Sequence, residues 1–393
     1  MSVDWAHLPG DLLCAISERL LLYADHVRFR AVCPGWRFSV PAIPRHLPPQ
    51  PPWLLLPLYQ PYYFSSSSPS SNCFYNFLDN SVNKLGHLSP LVPELSPYSR
   101  RCGSSHGWLV VLDYSPRIVL FNPLMNSKIN LPDLTTFPNV VSVCFANIGK
   151  EYIVRRGRGD PTTSVQDMRD MFVKKVVLSN SPGMDSEFVA LAILDTSGDL
   201  VYCRRRDDCW KDLIVGDSQF EDVIFHDGSF YCVDRSGGVA ICDLSGDSPV
   251  VSRVTARVMH RGDAQYLVTV GEDLVLVVRF LEFGEVEDRS GSKTSSFESF
   301  RLDWGSNEPR WDPIDSLGDF AVFIGTNSSF SIRAADFPGC VGDRIYFTED
   351  YSEGLAPEHI SGTYSLRDRR VEFLCFRGYD CVPAPIWLSP NPC

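Results

Sequence analysis

The stretch Gly103-Ser104-Ser105-His106-Gly107 satisfies G-x-S-x-G, the spacing at which a serine on a sharp strand-to-helix turn acts as a nucleophile beside an oxyanion hole. That chemistry needs a helix after the serine. Here Trp108-Leu109-Val110-Val111-Leu112 follows, an apolar run that reads as a strand, so the motif is expected to be a glycine-bracketed turn. Asp319 and the adjacent Glu349-Asp350 are carboxylates that could serve as general bases, but turn carboxylates ordinarily accept nearby backbone N–H groups. His106, His226, His260 and His359 stand isolated, with no H-x-x-x-H or H-x-E pattern. Thirteen cysteines run from Cys14 to Cys393 with no C-x-x-C pair, which is neither a disulfide framework nor a zinc site. The expectation is therefore no catalytic residue, no metal and no cofactor. Three arginine clusters could hold anions or direct nuclear import: Arg155-Arg156-Gly157-Arg158, Arg204-Arg205-Arg206, and Arg367 with Arg369-Arg370. Solvated strand ends are the commoner use of such runs.

The elements that would position these residues follow from composition and pattern. The chain has 393 residues, 44% hydrophobic and 12% aromatic, enough to bury a substantial core. A formal charge of −12 argues against nucleic acid as the main partner, without excluding a local basic patch. No apolar run is long enough to cross a membrane and no basic-then-apolar leader opens the chain, so an intracellular protein of cytoplasm or nucleus is expected. The glycosylation triplet at Asn327 then has no meaning.

After about residue 53 the sequence is almost all short β-branched and aromatic runs separated by turn residues. Trp108–Leu112, Ile118–Phe121, Lys174–Leu178, Val189–Leu194, Leu200–Cys203, Phe230–Val233, Val239–Ile241, Leu274–Phe280 and Ile345–Phe347 read as strands. Ser164–Met171 reads as one surface turn of helix, and the polar stretch Glu282–Ser299 as an exposed loop. An Asp/Gly turn followed by an alternating strand recurs at Asp195, Asp227, Asp234 and Gly342. So many hairpins must hide their edges, and radial repetition does so, predicting a mainly β fold with a β-propeller of about six or seven blades. Two β-sandwich domains are the alternative. Trp53–Leu56 and the Pro-bounded apolar tail Pro383–Leu388 suit first and last strands that meet, while the run Ser65–Ser68 looks like linker.

The N-terminal segment is different. Leu8, Leu12, Leu13, Ile16 and Leu20 recur at helical spacing behind Pro9; Asp25 can cap a second helix carrying Val27, Phe29 and Val32; Pro34 restarts a third turn with Trp36. Three such short helices cannot close a core and want a partner. These residues resemble the F-box, through Leu8-Pro9, Asp11-Leu12-Leu13, Ile16, Leu20, Asp25, Val27-Arg28-Phe29-Arg30, Val32-Cys33 and Trp36-Arg37. The resemblance implies docking onto a Skp-family adaptor, and through it a cullin, with Leu8, Pro9, Leu12, Leu13, Ile16, Leu20, Val27, Val32, Cys33 and Trp36 as adaptor-binding residues. Cys102–Val110, Asn122-Pro123-Leu124 and Trp311 through Thr348 resemble the C-terminal domain of a large plant family of F-box proteins, expected to be a β-propeller. The implied layout is an F-box at 4–40, a Pro-rich linker at 41–52 and the propeller at 53–393. The implied function is the substrate-recognition subunit of a Skp–cullin–F-box ubiquitin ligase, binding a protein target, with no nucleic acid and no membrane. A propeller enzyme or small-ligand binder, or an F-box scaffold that delivers no substrate, are the alternatives.

Overall fold

The computed structural model describes residues 5–41, 44, 46–47, 50–56, 73–76, 81–84, 99–155, 159, 161–183, 186–194, 197–216, 218–254, 262–286, 289–305, 308–337, 340–350, 361–374 and 384–391. The Ser65–Ser68 run, Asp195, Arg156–Arg158, His260 and His359 lie outside them.

Strands buried on both faces build six blades, antiparallel except for one pair. Ile386–Leu388, Trp53–Leu55, Cys73–Asn76 and Ser81–Lys84 make the first, in that order. The second holds Arg100–Ser105, Trp108–Leu112, Ile118–Asn122 and Ser127–Leu131. Val173–Leu178, Val189–Leu194, Leu200–Arg204 and Lys211–Leu213 form the third. The fourth comprises Phe220–His226, Ser229–Asp234, Val239–Asp243 and Val250–Val254. Ala264–Val270, Asp273–Val286, Arg289–Asp303 and Arg310–Ile314 build the fifth. The sixth has five strands, ordered Phe330–Arg333, Phe320–Ile324, Arg344–Thr348, Ser361–Ser365 and Arg370–Leu374, with a parallel pair between the second and third.

Among the described residues the buried apolar side chains fall into six clusters, each joining two successive blades. A ring needs as many interfaces as blades, which sets the count at six and rules out two sandwiches. Trp108, Phe230, Phe323 and Phe347 are all buried, as the strand pattern predicts. The ring closes where Leu54 pairs with Trp387 between the sixth blade and the second. A smaller sheet of Val140–Val143, Tyr152–Val154 and Thr162–Thr163 sits outside the ring and shares the core of blades two and three. Ser164 caps the helix Val165–Met171 by accepting from the Asp167 N–H at 3.0 Å.

Two expectations are corrected. Glu282–Ser299 is not a loop: it belongs to a long hairpin, with Glu282 opposite Lys293 and their side chains 3.2 Å apart. Its Ser/Thr-rich strands lack the alternation that marks a half-buried strand, and at the successive residues Glu282 and Phe283 both faces meet water. Asp25 is not a cap either, since the second helix starts two residues earlier.

Three helices precede the ring: α1 (Gly10–Ser17), α2 (Tyr23–Arg30) and α3 (Pro34–Ser39). Pro34 opens α3 after an extended Cys33, as a proline at the first helical position should. Tyr23 is buried, and Val27 and Leu47 pack with it against Trp53, Phe74 and Leu124 between blades one and two. Gln50 braces the same joint, accepting from Tyr23 N–H at 2.7 Å and donating to the Leu21 carbonyl at 3.1 Å.

His26 is buried at this joint, its Nε2–H donating to the Pro41 carbonyl at 2.9 Å. Burial holds its pKa below the ordinary 6.5, opposed by the Pro41 carbonyl and reinforced by Arg30 and His46. The unfolded chain therefore takes up this proton first, so stability present above pH 6.5 is lost as pH falls through that value. The thermal midpoint is expected to drop more steeply between pH 7.5 and 5.5 in the wild type than in His26→Gln. Equal slopes in calorimetry would assign the acid loss to other groups.

Candidate functional site

The helical module divides its apolar residues between two duties. Leu13 is buried inside it, Val27 is half-buried against the ring, and Trp36 donates its indole N–H to the Trp5 carbonyl at 3.0 Å while its ring lies 4.4 Å from Phe29. Leu8, Leu20 and Cys33 are half-buried, and Pro9 is exposed. Leu12 is 53% exposed, Ile16 41% and Val32 59%. Leu12 and Ile16 are one helical turn apart on α1, so they share a face. Sequence spacing did not pick out Trp5, Leu21, Leu22 or Phe38, yet all four are exposed, Phe38 at 87%. They sit at helix ends and in connections, where periodicity carries no signal. Exposed apolar side chains at this density in three short helices form a surface suited to an apolar partner.

The G-x-S-x-G serine is in a hairpin. His106 and Gly107 take φ of 52° and 81°, the left-handed pair of a two-residue turn between Arg100–Ser105 and Trp108–Leu112. Ser105 is buried, and its hydroxyl accepts from the Leu178 N–H at 3.3 Å. Glu349 and Asp350 are ion-paired with the fully buried Arg279. Arg204 and Arg205 give their guanidinium groups to the carbonyls of Leu244, Gly183 and Ser186, and Arg206 pairs with Glu187 at 3.1 Å. These arginines fasten loops. Among the described residues no three His, Cys, Asp or Glu side chains gather as a metal set.

The middle of the ring is filled by the segment after Phe320–Ile324. The Ser328 N–H donates to the Ser104 carbonyl of blade two at 2.9 Å, the Gly325 carbonyl lies 3.5 Å from Lys175 Nζ of blade three, and Ser329 Oγ lies 3.5 Å from Asp222 of blade four. Lys175 and Asp222 are themselves a buried ion pair. Gly325 is required there, because a Cβ would come 2.1 Å from Thr348 Oγ1. Asn327, at the glycosylation triplet, is fully buried.

The family described as KIB1-4 beta-propeller has a model that matches residues 74–365. The chain is 25% identical over 405 aligned residues to F-box protein SKIP23 of Arabidopsis thaliana, covering 95% of this chain and 91% of that protein. It is 27% identical over 401 residues to F-box protein At2g17036 of the same plant, covering 95% and 91%.

Proposed function

Because the chain belongs to the KIB1-4 beta-propeller family and is a plant F-box protein with a propeller domain, we propose that it is the substrate-recognition subunit of a Skp–cullin–F-box ubiquitin ligase. In this reading residues 4–40 dock a Skp-family adaptor, and through it a cullin, while 53–393 hold a protein target and 41–52 join the two. Leu8, Pro9, Leu12, Ile16, Leu20, Val32 and Cys33 meet the adaptor, joined by Trp5, Leu21 and Phe38. Leu13, Val27 and Trp36 act from behind by fixing the helices that present them. The work is positional: holding a target beside a ubiquitin-charged enzyme raises its effective concentration. No catalytic side chain or cofactor is needed, and the crossing segment in the ring centre favours a rigid presenter over a small-ligand pocket. The setting is intracellular, in cytoplasm or nucleus.

The observation that carries this reading is the exposed apolar set on the module, above all Leu12 and Ile16 one turn apart. The full chain is expected to co-purify with a Skp-family adaptor. Leu12→Ala with Ile16→Ala should weaken the complex by about thirtyfold or more, the usual cost of truncating interface anchors at about 2 kcal/mol. Both side chains are partly exposed, so the double variant should lose far less in folding stability than in adaptor affinity, which unfolding of the same variant checks. Adaptor affinity unchanged in calorimetry would end the docking reading.

A further inference from the structure

The sheet outside the ring has one face in the core and one in water. Tyr152 and Val154 are buried between blades two and three, with Val140 and Val143 packed on the same cluster. Ser142, Ile153 and Thr162 make the opposite face, in register across the three strands. A bulge between Val140 and Ser142 sets Val141 beside them, 45% exposed. The following loop curls over this face and bounds a cleft of about 530 Å³ lined by Ser142, Cys144, Asn147, Ile148, Lys150, Glu151, Ile153 and Thr162. Ile148 stands 92% exposed at its rim.

The loop is braced. The Cys144 N–H donates to the Glu151 carbonyl at 2.7 Å, and the Glu151 carboxylate accepts from Gly149 N–H at 2.7 Å and Val165 N–H at 3.1 Å. The cleft is therefore a formed feature with Glu151 turned to its own backbone.

Two further properties define an occupant. Val140–Val143 is an edge strand, paired only with Tyr152–Val154 among the described residues. The Cys144–Glu151 bond sets the antiparallel alternation, which turns the N–H and C=O of Val143 to the unpaired side. Lys150 and Arg155 flank Tyr152–Val154 at either end, both exposed, and neither has an ion-pair partner among the described residues. On a chain of net charge −12 these two exposed cations stand beside a cleft of mixed polar and aliphatic lining and an edge strand.

We propose that this outer sheet docks an extended peptide segment of a partner protein as an added strand along Val140–Val143. The segment is aliphatic at alternate positions, so that one side chain enters the cleft over Ile153, and it carries carboxylates on its flanks for Lys150 and Arg155. The Val140 N–H is already held by the Phe137 carbonyl at 2.9 Å, so main-chain bonds centred on Val143 would give affinity, while the cleft and the cations give selectivity. That the segment belongs to the ubiquitylation target rests on the receptor reading above; peptide binding itself does not.

The test uses the full chain bound to its adaptor and the fluorescein-labelled peptide EEVTLTVEE, followed by anisotropy. Saturable binding is expected, weakened about tenfold or more by added salt, by lysines in place of the glutamates, or by a proline in place of the central leucine. Ile148→Asp, and separately Lys150→Glu with Arg155→Glu, should each cause a similar loss. All three side chains are exposed, so the fold and adaptor affinity should stay as in the wild type. No saturable binding of the acidic peptide, or binding indifferent to these variants, overturns the proposal. A concentration-dependent dimer abolished by Ile148→Asp would assign the edge to a second copy and overturn it too. Adaptor affinity is read on the same samples: its loss with peptide binding intact would sink the receptor reading alone.

Discussion

Trp387→Ala is expected to lower unfolding stability by about 3–5 kcal/mol, the range for removing a large aromatic from a closed core. Trp387 is fully buried on the innermost strand of the first blade. Its ring stands edge-on to Phe323 at 5.0 Å and to Tyr346 at 6.2 Å, and Phe323 stacks on Tyr346 and Phe330 at 4.7 and 5.0 Å. Those three rings belong to the sixth blade, so the indole fills the interface at which the ring closes. Its backbone pairing with Leu54 does not depend on the side chain, so the loss reports packing rather than strand registry. An unfolding free energy within about 1 kcal/mol of wild type, from denaturant titration, would show that this seam is not closed by the indole.

Two buried arginines are expected to respond with opposite signs. Arg279 is fully buried, and its guanidinium reaches Glu349, Asp350 at 2.7 Å, the Thr348 carbonyl at 3.0 Å and the Tyr266 hydroxyl at 3.2 Å. Burial alone would lower its pKa, but Tyr266, Asp350 and Glu349 hold it above the usual guanidinium range. Arg279→Met leaves two carboxylates facing a dry interior and should cost about 3–5 kcal/mol. Adding Glu349→Gln and Asp350→Asn should recover much of that loss, because the uncompensated charge is gone. Arg101 is buried as well, on the inner strand of blade two, yet among the described residues none of its three guanidinium nitrogens has a hydrogen-bond partner, and burial pushes its pKa down to about 10. Removing an unpaired buried cation relieves a desolvation penalty, so Arg101→Met should raise stability by about 1–3 kcal/mol. Chemical unfolding of the two variants side by side decides the matter. The same sign for both would mean that pairing does not govern the cost of burial here.

Most of the ring was legible because its strands are β-branched and aromatic apolar runs and its turns use residues suited to positive φ. Trp108–Leu112 and Val189–Leu194 match their predicted bounds, and Asp227-Gly228 takes φ of 45° and 80° between Phe220–His226 and Ser229–Asp234. Strands too short to alternate went unread: Thr162–Thr163 has two residues and Tyr152–Val154 three, and the sheet they build lines the candidate cleft. Phe330–Arg333 was missed for another reason. It lies innermost, beyond its neighbour Phe320–Ile324, an order that only the paired sheet reveals. On the module, periodicity identified a stripe but could not divide it. Leu12 and Leu13 are adjacent in sequence and apolar alike, yet one faces water and the other the module interior, because α3 packs against α1 from one side.

The pairing of Trp53–Leu55 with Ile386–Leu388 also sets a timetable. At 5–20 residues per second, on the order of twenty seconds to a minute of synthesis separates the two strands. The helices emerge well before the ring they lean on can shut, and throughout that interval Leu54 and its neighbours offer an apolar strand with one edge open to whatever else is in solution. A ribosome that stalls before Ile386 leaves that edge open for good, so the same two strands that finish the ring mark an unfinished chain for capture.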